Sequence, residues 1–341
     1  MRQLSYLGPG SLDWQDVPDP RVRAVDEVIV KPLAVARCDL DVTMARDGLF
    51  PGPYPIGHEF VGEVVDVGST VTSVRPGDTV LVPFQPSCGR CEMCRNGRYV
   101  ACTTCTAPAG SAFGFGAAGG GHGGAVADLI RVPHAEHLLL PICSDLPLTT
   151  LCTLSDNVAD GYRAVGPDLA RTPGADVLIL GGFAASVGLY AVAFATALGA
   201  STVRYVDHDT GRCRVATQLG ADAAMPTDPW PRRFDRAAIV VDNTGSQSGL
   251  SAAIRSTQDL GTCTSVAIYF QNELTLPLLE MYTRGCTYRT GRTDSKAYLP
   301  EVLRLVTAHA EHFTAIAPTI VNWSDARDHW LQPATKLILT R

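Results

Sequence analysis

The chain has no lysine- or arginine-rich block, and its formal net charge is −6. A nucleic-acid partner needs a basic face to meet the phosphates, so that class is set aside. No uninterrupted apolar stretch is long enough to span a bilayer. The richest, residues 177–200, is broken by glycines, a serine and alanines. The opening residues MRQLSYLGPGSLDW lack a basic region followed by an apolar run. No secretory signal and no membrane partner are therefore expected, and the expected location is cytoplasmic. No internal repeat recurs at a fixed period. Charged residues are only 18% of the chain, but hydrophobic ones are 46%, which fits a globular rather than a disordered protein.

What is present suits two domains, since 341 residues exceed one ordinary core. Residues 1 to about 150 carry short strand-like segments between Gly and Pro punctuation: Glu27–Pro32, Phe60–Val67 and Thr79–Pro83. Residues 108–124 (PAGSAFGFGAAGGGHGG) are expected to form a long surface loop near a site. From about residue 156 strand-like and helix-like stretches alternate. Ala175–Leu180, Thr202–Asp207, Ala237–Asp242 and Thr262–Tyr269 read as strands. Val187–Leu198, Gly211–Leu219 and Ser246–Ser256 read as helices. That rhythm predicts βαβ units and a parallel sheet. A helical stretch at Leu299–His309 and a strand at Lys336–Thr340 look like a return to the first domain.

Four of the eleven cysteines, Cys88, Cys91, Cys94 and Cys102, fall within fifteen residues with the spacing C-x2-C-x2-C-x7-C. In a reducing compartment such crowding points to metal rather than disulfides. Four thiolates so spaced can close tetrahedrally on zinc without long-range folding. The rival readings are free loop cysteines and an iron–sulfur cluster, whose bacterial ferredoxin spacing differs. Cys105 is a spare thiol three residues beyond.

A lone His-Glu pair is usually a surface pair, but His58-Glu59 lies in G-H-E-x2-G-x5-G-x2-V, from Gly57 through Gly62 and Gly68 to Val71. With Cys38 and the cysteine lobe, this resembles the zinc-dependent alcohol dehydrogenases of the medium-chain dehydrogenase/reductase superfamily, over essentially the whole chain. The resemblance implies a GroES-like β-barrel catalytic domain (1–155 and 295–341) with a Rossmann doubly wound NAD-binding domain (156–294) inserted into it. It implies two zinc ions per chain, one structural and one catalytic. The catalytic ligands would be Cys38, His58 and Asp156, the last an aspartate-type third ligand. Glu59 would bind zinc transiently or support the site, and Asp41 would accept a hydrogen bond from the imidazole of His58. Asp156 read alone is equally a helix N-cap. Three protein ligands leave one position for a substrate oxygen.

One departure concerns the proton. The family's relay hydroxyl lies two residues after the cysteine, where this chain has Leu40. Ser155, or a water held by Asp39 or His122, is the expected substitute.

Residues 177–188 (VLILGGFAASVG) read as strand, tight turn and helix, the shape that brings backbone and a helix N-terminus to a pyrophosphate. Gly181, Gly182, Ala185, Ser186, Val187 and Gly188 are the candidate residues. The glycine pattern is imperfect, because Phe183 and Ala185 stand where G-x-G would fall, and an ordinary buried βα unit is the alternative. Asp207, nineteen residues beyond Gly188, would accept the ribose 2′-hydroxyl and repel a 2′-phosphate. NAD(H) is therefore expected over NADP(H), with Arg204 and His208 close enough to soften the preference. By the resemblance Arg212 lies near the adenosine ribose, Thr244, Val266 and Ile268 flank the nicotinamide, and Arg292 joins the cofactor set. It also places Leu40, Leu49, Phe84, Phe113, Asn157, Tyr269 and Phe270 around a substrate pocket.

The expected reaction is hydride transfer between nicotinamide and an alcohol or carbonyl carbon of a small molecule. Two alternatives stay open: reduction of an imine or activated double bond, and a non-catalytic nucleotide-binding protein on a dehydrogenase fold. A homodimer or homotetramer is expected by family analogy only.

Overall fold

The structure, a computed structural model, describes residues 1–316 and 318–341. Its contacts divide the chain into two compact units: Met1–Ala159 with Asp294–Thr307 and Pro318–Arg341, and Asp160–Thr293 with Ala308–Ala317. These borders differ from the sequence-based ones in three places. Asp156 and Asp294 fall with the first unit, and the short helix Ala310–Thr314 falls with the second. Phe313 of that helix packs its ring on Phe194 of the second unit, with centroids 4.7 Å apart.

The first unit is built on β-structure. A seven-stranded sheet takes in the strands Val28–Arg37, Glu59–Val67, Thr79–Val82 and Leu337–Thr340. Val28–Arg37 is central, paired antiparallel to Leu337–Thr340 on one edge and to Glu59–Val67 on the other. Its run VIVKPLAVAR is buried at eight of ten positions, as expected of a strand with partners on both sides. Leu4, Val30, Phe60, Val80 and Trp330 are among its core residues.

The loop from 108 to 124 is not the surface feature that its glycines suggest. Ala112, Phe113 and Phe115 are buried. Gly114 passes so close to Gly57 that a Cβ would lie 2.7 Å from the Gly57 carbonyl oxygen. The glycines there permit close backbone packing rather than exposure.

The second unit is a six-stranded parallel sheet. Its order is Asp222–Ala224, Val203–Val206, Val177–Leu180, Ala237–Asp242, Thr257–Ser265 and Thr287–Arg289. In chain order this is 3-2-1-4-5-6, the doubly wound arrangement, whose direction reverses between Val177–Leu180 and Ala237–Asp242. Two expectations are corrected here. The strand placed at Thr262–Tyr269 runs over Thr257–Ser265, and its exposed start at Gln258, Asp259 and Leu260 hid it. The sequence-based assignment has no helix over Asn157–Arg171 beyond the N-cap reading of Asp156, and one runs there through Gly161, Gly166 and Pro167. Gly161 is needed for packing: a Cβ there would meet Tyr190 Cβ at 2.7 Å. Among the described residues no helix is long and apolar enough to cross a membrane.

Candidate active site

The cysteine lobe assembles locally. The sulfurs of Cys88, Cys91, Cys94 and Cys102 all lie within 4.8 Å of one another, and those of Cys91 and Cys102 are 3.9 Å apart. Four sulfurs about 2.3 Å from one ion would be about 3.8 Å apart, so the set fits zinc. Backbone N–H groups already point at these sulfurs. Cys91 N donates to Cys88 Sγ at 3.3 Å, and Cys88 N and Cys105 N donate to Cys102 Sγ at 3.4 and 3.3 Å. Hydrogen bonds from the backbone of Cys94 and then Thr103 pull the Cys91 thiol down to about 5. Such donors favour the thiolate, the form that binds metal. Asp294 steadies the lobe by accepting from Val100 N at 3.1 Å.

The second cluster draws on distant segments of the first unit. Cys38 follows the central strand and caps the helix Asp39–Asp47. His58 and Glu59 lead into the neighbouring strand, and Asp156 follows the short helix Cys152–Ser155. Ligand atoms of all four lie within 4.8 Å of one another. His58 Nε2 faces Asp156 Oδ2 at 3.2 Å, close to the about 3.3 Å that separates two ligands of one tetrahedral zinc. A thiol, an imidazole and a carboxylate around one point are a suitable donor set, so these residues fit zinc. Asp156 precedes a helix, as an N-cap would, but its carboxylate turns to His58.

Asp41 connects two members of the cluster. Its Oδ2 accepts from Cys38 N at 2.9 Å, and its Oδ1 faces His58 Nδ1 at 3.2 Å. Burial opposes charge on His58, yet Asp41 and then Asp156 push its pKa well above the ordinary imidazole value. Burial likewise pushes the Cys38 thiol up.

Sequence reasoning missed Lys336. The residue is 2% exposed, and its ammonium donates to Glu59 Oε1 and Oε2 at 2.9 and 2.6 Å. Burial raises the Glu59 carboxyl and Lys336 opposes that rise. Phe115 was also missed. It packs edge-on against the His58 ring at 5.3 Å, and the expected Phe84 is tilted against the same ring at 5.4 Å.

Ser155 is the expected proton carrier. Its hydroxyl donates to Cys152 O at 3.1 Å and accepts from Phe60 N at 3.1 Å, and the residue is fully buried. Phe113 is corrected as a pocket wall, because it is 0% exposed against Phe60 and His122. His122 itself pairs with Ser111 Oγ at 3.1 Å. Asn157 is buried, Leu40 is half-buried, and Leu49 and Phe270 are exposed.

In the second unit, Gly181 and Gly182 close the strand Val177–Leu180, and Ala185 to Gly188 form the first turn of the helix Ala185–Ala197. A Cβ on Gly181 would meet Asp207 Oδ2 at 2.2 Å and Tyr205 Oη at 2.4 Å. Gly182 has φ +151°, and a Cβ there would meet Thr244 Cα at 2.8 Å. The turn therefore requires glycine at both positions, and the cradle fits a bound pyrophosphate. Asp207 is fully buried and richly bonded. Oδ2 accepts from Tyr205 Oη at 2.6 Å and Arg212 Nε at 2.7 Å, while Oδ1 accepts from Arg212 Nη2 at 2.7 Å and Asp209 N at 2.9 Å. Arg204 and His208 turn elsewhere, Arg204 to the Arg236 carbonyl and His208 to the Trp230 ring. Asp242 ties two later turns together, accepting from Thr244 N and Oγ1 and from Ser265 and Tyr269 hydroxyls. Tyr269 thus spends its hydroxyl on Asp242. Val266 is buried, Ile268 is exposed, and Arg292 lies in an exposed stretch.

Two family models match: the alcohol dehydrogenase GroES-like domain over residues 24–142, and zinc-binding dehydrogenase over residues 186–308. An uncharacterized zinc-type alcohol dehydrogenase-like protein of Bacillus subtilis is 28% identical, over 90% of this chain and 89% of its own. The geraniol dehydrogenase of Castellaniella defragrans is 31% identical over 82% of this chain and 80% of its own. The alcohol dehydrogenase of Thermus sp. ATN1 superposes with a TM-score of 0.89 at 24% identity, covering 100% of this chain and 99% of that one, and so shares the fold. On the family models and the relatives together, the chain belongs to the zinc-dependent alcohol dehydrogenases of the medium-chain dehydrogenase/reductase superfamily.

Proposed function

We propose that the chain interconverts an alcohol and the matching aldehyde or ketone using NAD(H), with catalytic zinc held by Cys38, His58 and Asp156 and structural zinc held by the four-cysteine lobe. The observation that carries this reading is the meeting of Cys38, His58, Glu59 and Asp156, from well-separated segments, with ligand atoms inside 4.8 Å. When bound, zinc supplies a Lewis acid for the substrate oxygen, and the nicotinamide supplies or accepts the hydride. The chain's own residues do the rest. Asp41 fixes the His58 ring from behind, and Lys336 holds the Glu59 carboxylate. Phe84 and Phe115 flank the imidazole and keep water from it. These apolar walls suit an alcohol with a hydrophobic body, in line with the alcohol named for the Castellaniella relative.

Asp207 supports NAD(H) over NADP(H), since a buried carboxylate repels a 2′-phosphate. Arg212, its partly exposed partner, is the donor with which a ribose hydroxyl would compete. Leu40, together with the spent hydroxyl of Ser155, favours a second reading, reduction of an imine or activated alkene, which needs no proton from an alcohol. Assembly as a dimer or tetramer is proposed by family analogy, and a cytoplasmic location is proposed from the sequence reading. A screen of alcohols, polyols, aldehydes and imines read by NADH absorbance, with metal content measured on the same preparation, tests the proposal. Two zinc ions per chain and turnover of alcohols that His58→Ala abolishes are expected. One ion, and no response to Asp156→Ala, would overturn the catalytic zinc.

A further inference from the structure

Arg37 ends the central strand immediately before Cys38 and is 4% exposed. A buried guanidinium usually faces a carboxylate. This one faces a stretch of backbone. Nη1 donates to Trp330 O and, at 2.7 Å, to Gln332 O, and Nη2 donates to Ala334 O at 3.2 Å. Arg46, near the end of the helix that Cys38 caps, donates to Leu331 O at 3.0 Å. Two arginines on either side of Cys38 thus bind four of the five carbonyls from 330 to 334. Two residues on, Lys336 grips Glu59.

The segment from Trp330 to Lys336 therefore acts as a strap. It is fastened at one end beside Cys38 and at the other beside His58 and Glu59. The planar fork of arginine spreads five donors over three nitrogens and so reaches carbonyls strung along a segment, whereas the three donors of a lysine ammonium radiate from one atom. Among the described residues no carboxylate pairs with this guanidinium directly, and Asp39 and Asp41 act on it only through space, so burying it costs free energy and its value here lies in position.

We propose that Arg37 is a positioning residue that, through the 330–336 strap, sets Cys38 and Glu59 against each other and so governs metal retention at that site. The inference rests on the reading of Cys38, His58 and Asp156 as a zinc site. It is tested on the full chain by timing zinc release to a chelator from wild type, Arg37→Met and Arg37→Lys, with amide hydrogen exchange of residues 330–336 measured alongside. The cysteine lobe is the internal reference, since none of its ligands touches the strap. Arg37→Met should lose one of its two ions about 10- to 100-fold faster, the range typical of residues that support metal ligands, while the other leaves at the wild-type rate. Exchange in the strap should rise in step, and Arg37→Lys should fall between. Equal acceleration of both ions would mean a general loss of fold and would overturn the proposal, as would unchanged release. If Arg37→Met does not fold, Arg37→Lys decides: selective loss of one ion supports the strap, and wild-type release overturns it. A wild type holding only one ion removes the zinc reading, and the inference with it; that failure is seen before any variant is made.

Discussion

Cys88, Cys91, Cys94 and Cys102 come from fifteen consecutive residues, whereas Cys38, His58, Glu59 and Asp156 span 119. The first set is shaped by its own turns, whose N–H groups bond the sulfurs. The second exists only once two sheet strands and the segment before Asn157 are in place. It also differs in what surrounds it. Lys336, Asp41 and two phenylalanine rings enclose it, so its chemistry depends on partners the ligands do not reveal. A local site tolerates change elsewhere in the fold, and an assembled one does not.

The sharpest break between the two is His58→Ala. It removes a proposed ligand from the assembled site and leaves the lobe untouched. Turnover should fall about a thousandfold, since several kcal/mol of charge stabilisation are lost at 1.36 kcal/mol per factor of ten. Metal analysis should show one ion gone. Loss of both ions would mean that the two sites are not independent.

Lys336→Met comes next. It takes the ammonium away from the buried Glu59 carboxylate, and breaking a buried ion pair from one side costs about 3–5 kcal/mol. Adding Glu59→Gln should recover most of that, because the buried charge is then removed as well. Chemical denaturation of the two variants measures the difference. A double variant no more stable than the single one would show that the pair does not act as a unit.

The same contrast explains what could be read before the fold was known. The lobe was legible because its chemistry is written in adjacent residues. The assembled ligands were legible only through resemblance, since no local pattern links Cys38 to Asp156. Lys336 was illegible, being 277 residues from Glu59, where only the antiparallel pairing of Leu337–Thr340 with the central strand brings it in. Phe115 was hidden in a glycine-rich stretch that looks exposed, although close packing of Gly114 on Gly57 buries it. The alternating strands and helices of the second unit were legible from periodicity. The strand Thr257–Ser265 was displaced in that reading because its first residues face solvent.

Cofactor choice is a smaller test, on the second unit alone. Asp207→Ala should narrow the preference for NADH over NADPH by about tenfold or somewhat more, the worth of one hydrogen bond to a charged group. Arg212 would then keep only the more distant Asp209 carboxylate, at 3.6 Å, and be freer to meet a 2′-phosphate. Titration of both cofactors against wild type and variant measures this. Equal affinities in the wild type would show that Arg212 already cancels Asp207.

The smallest expected effect concerns Leu40, and it asks whether the assembled site is complete for alcohols. Oxidation of an alcohol requires its hydroxyl proton to leave, and positioned acid–base groups are worth ~10²–10⁴-fold in such steps. Leu40 carries no proton, and the Ser155 hydroxyl is held between Cys152 O and Phe60 N. Leu40→Thr adds a hydroxyl at the missing position without the remainder of a relay, so a gain of only about three- to tenfold is expected near neutral pH. That gain should shrink as pH rises, because hydroxide then takes the proton directly. Ser155→Ala should lower stability, through the unsatisfied Phe60 N–H, and leave the pH dependence of turnover where it was. Imine reduction, which draws no proton from an alcohol, should not respond to Leu40→Thr. Rates of both variants on an alcohol and an imine across pH separate these outcomes. A wild type whose alcohol turnover is independent of pH and insensitive to Leu40→Thr would place the proton path elsewhere, with Asp39 and His122 as the residues to change next.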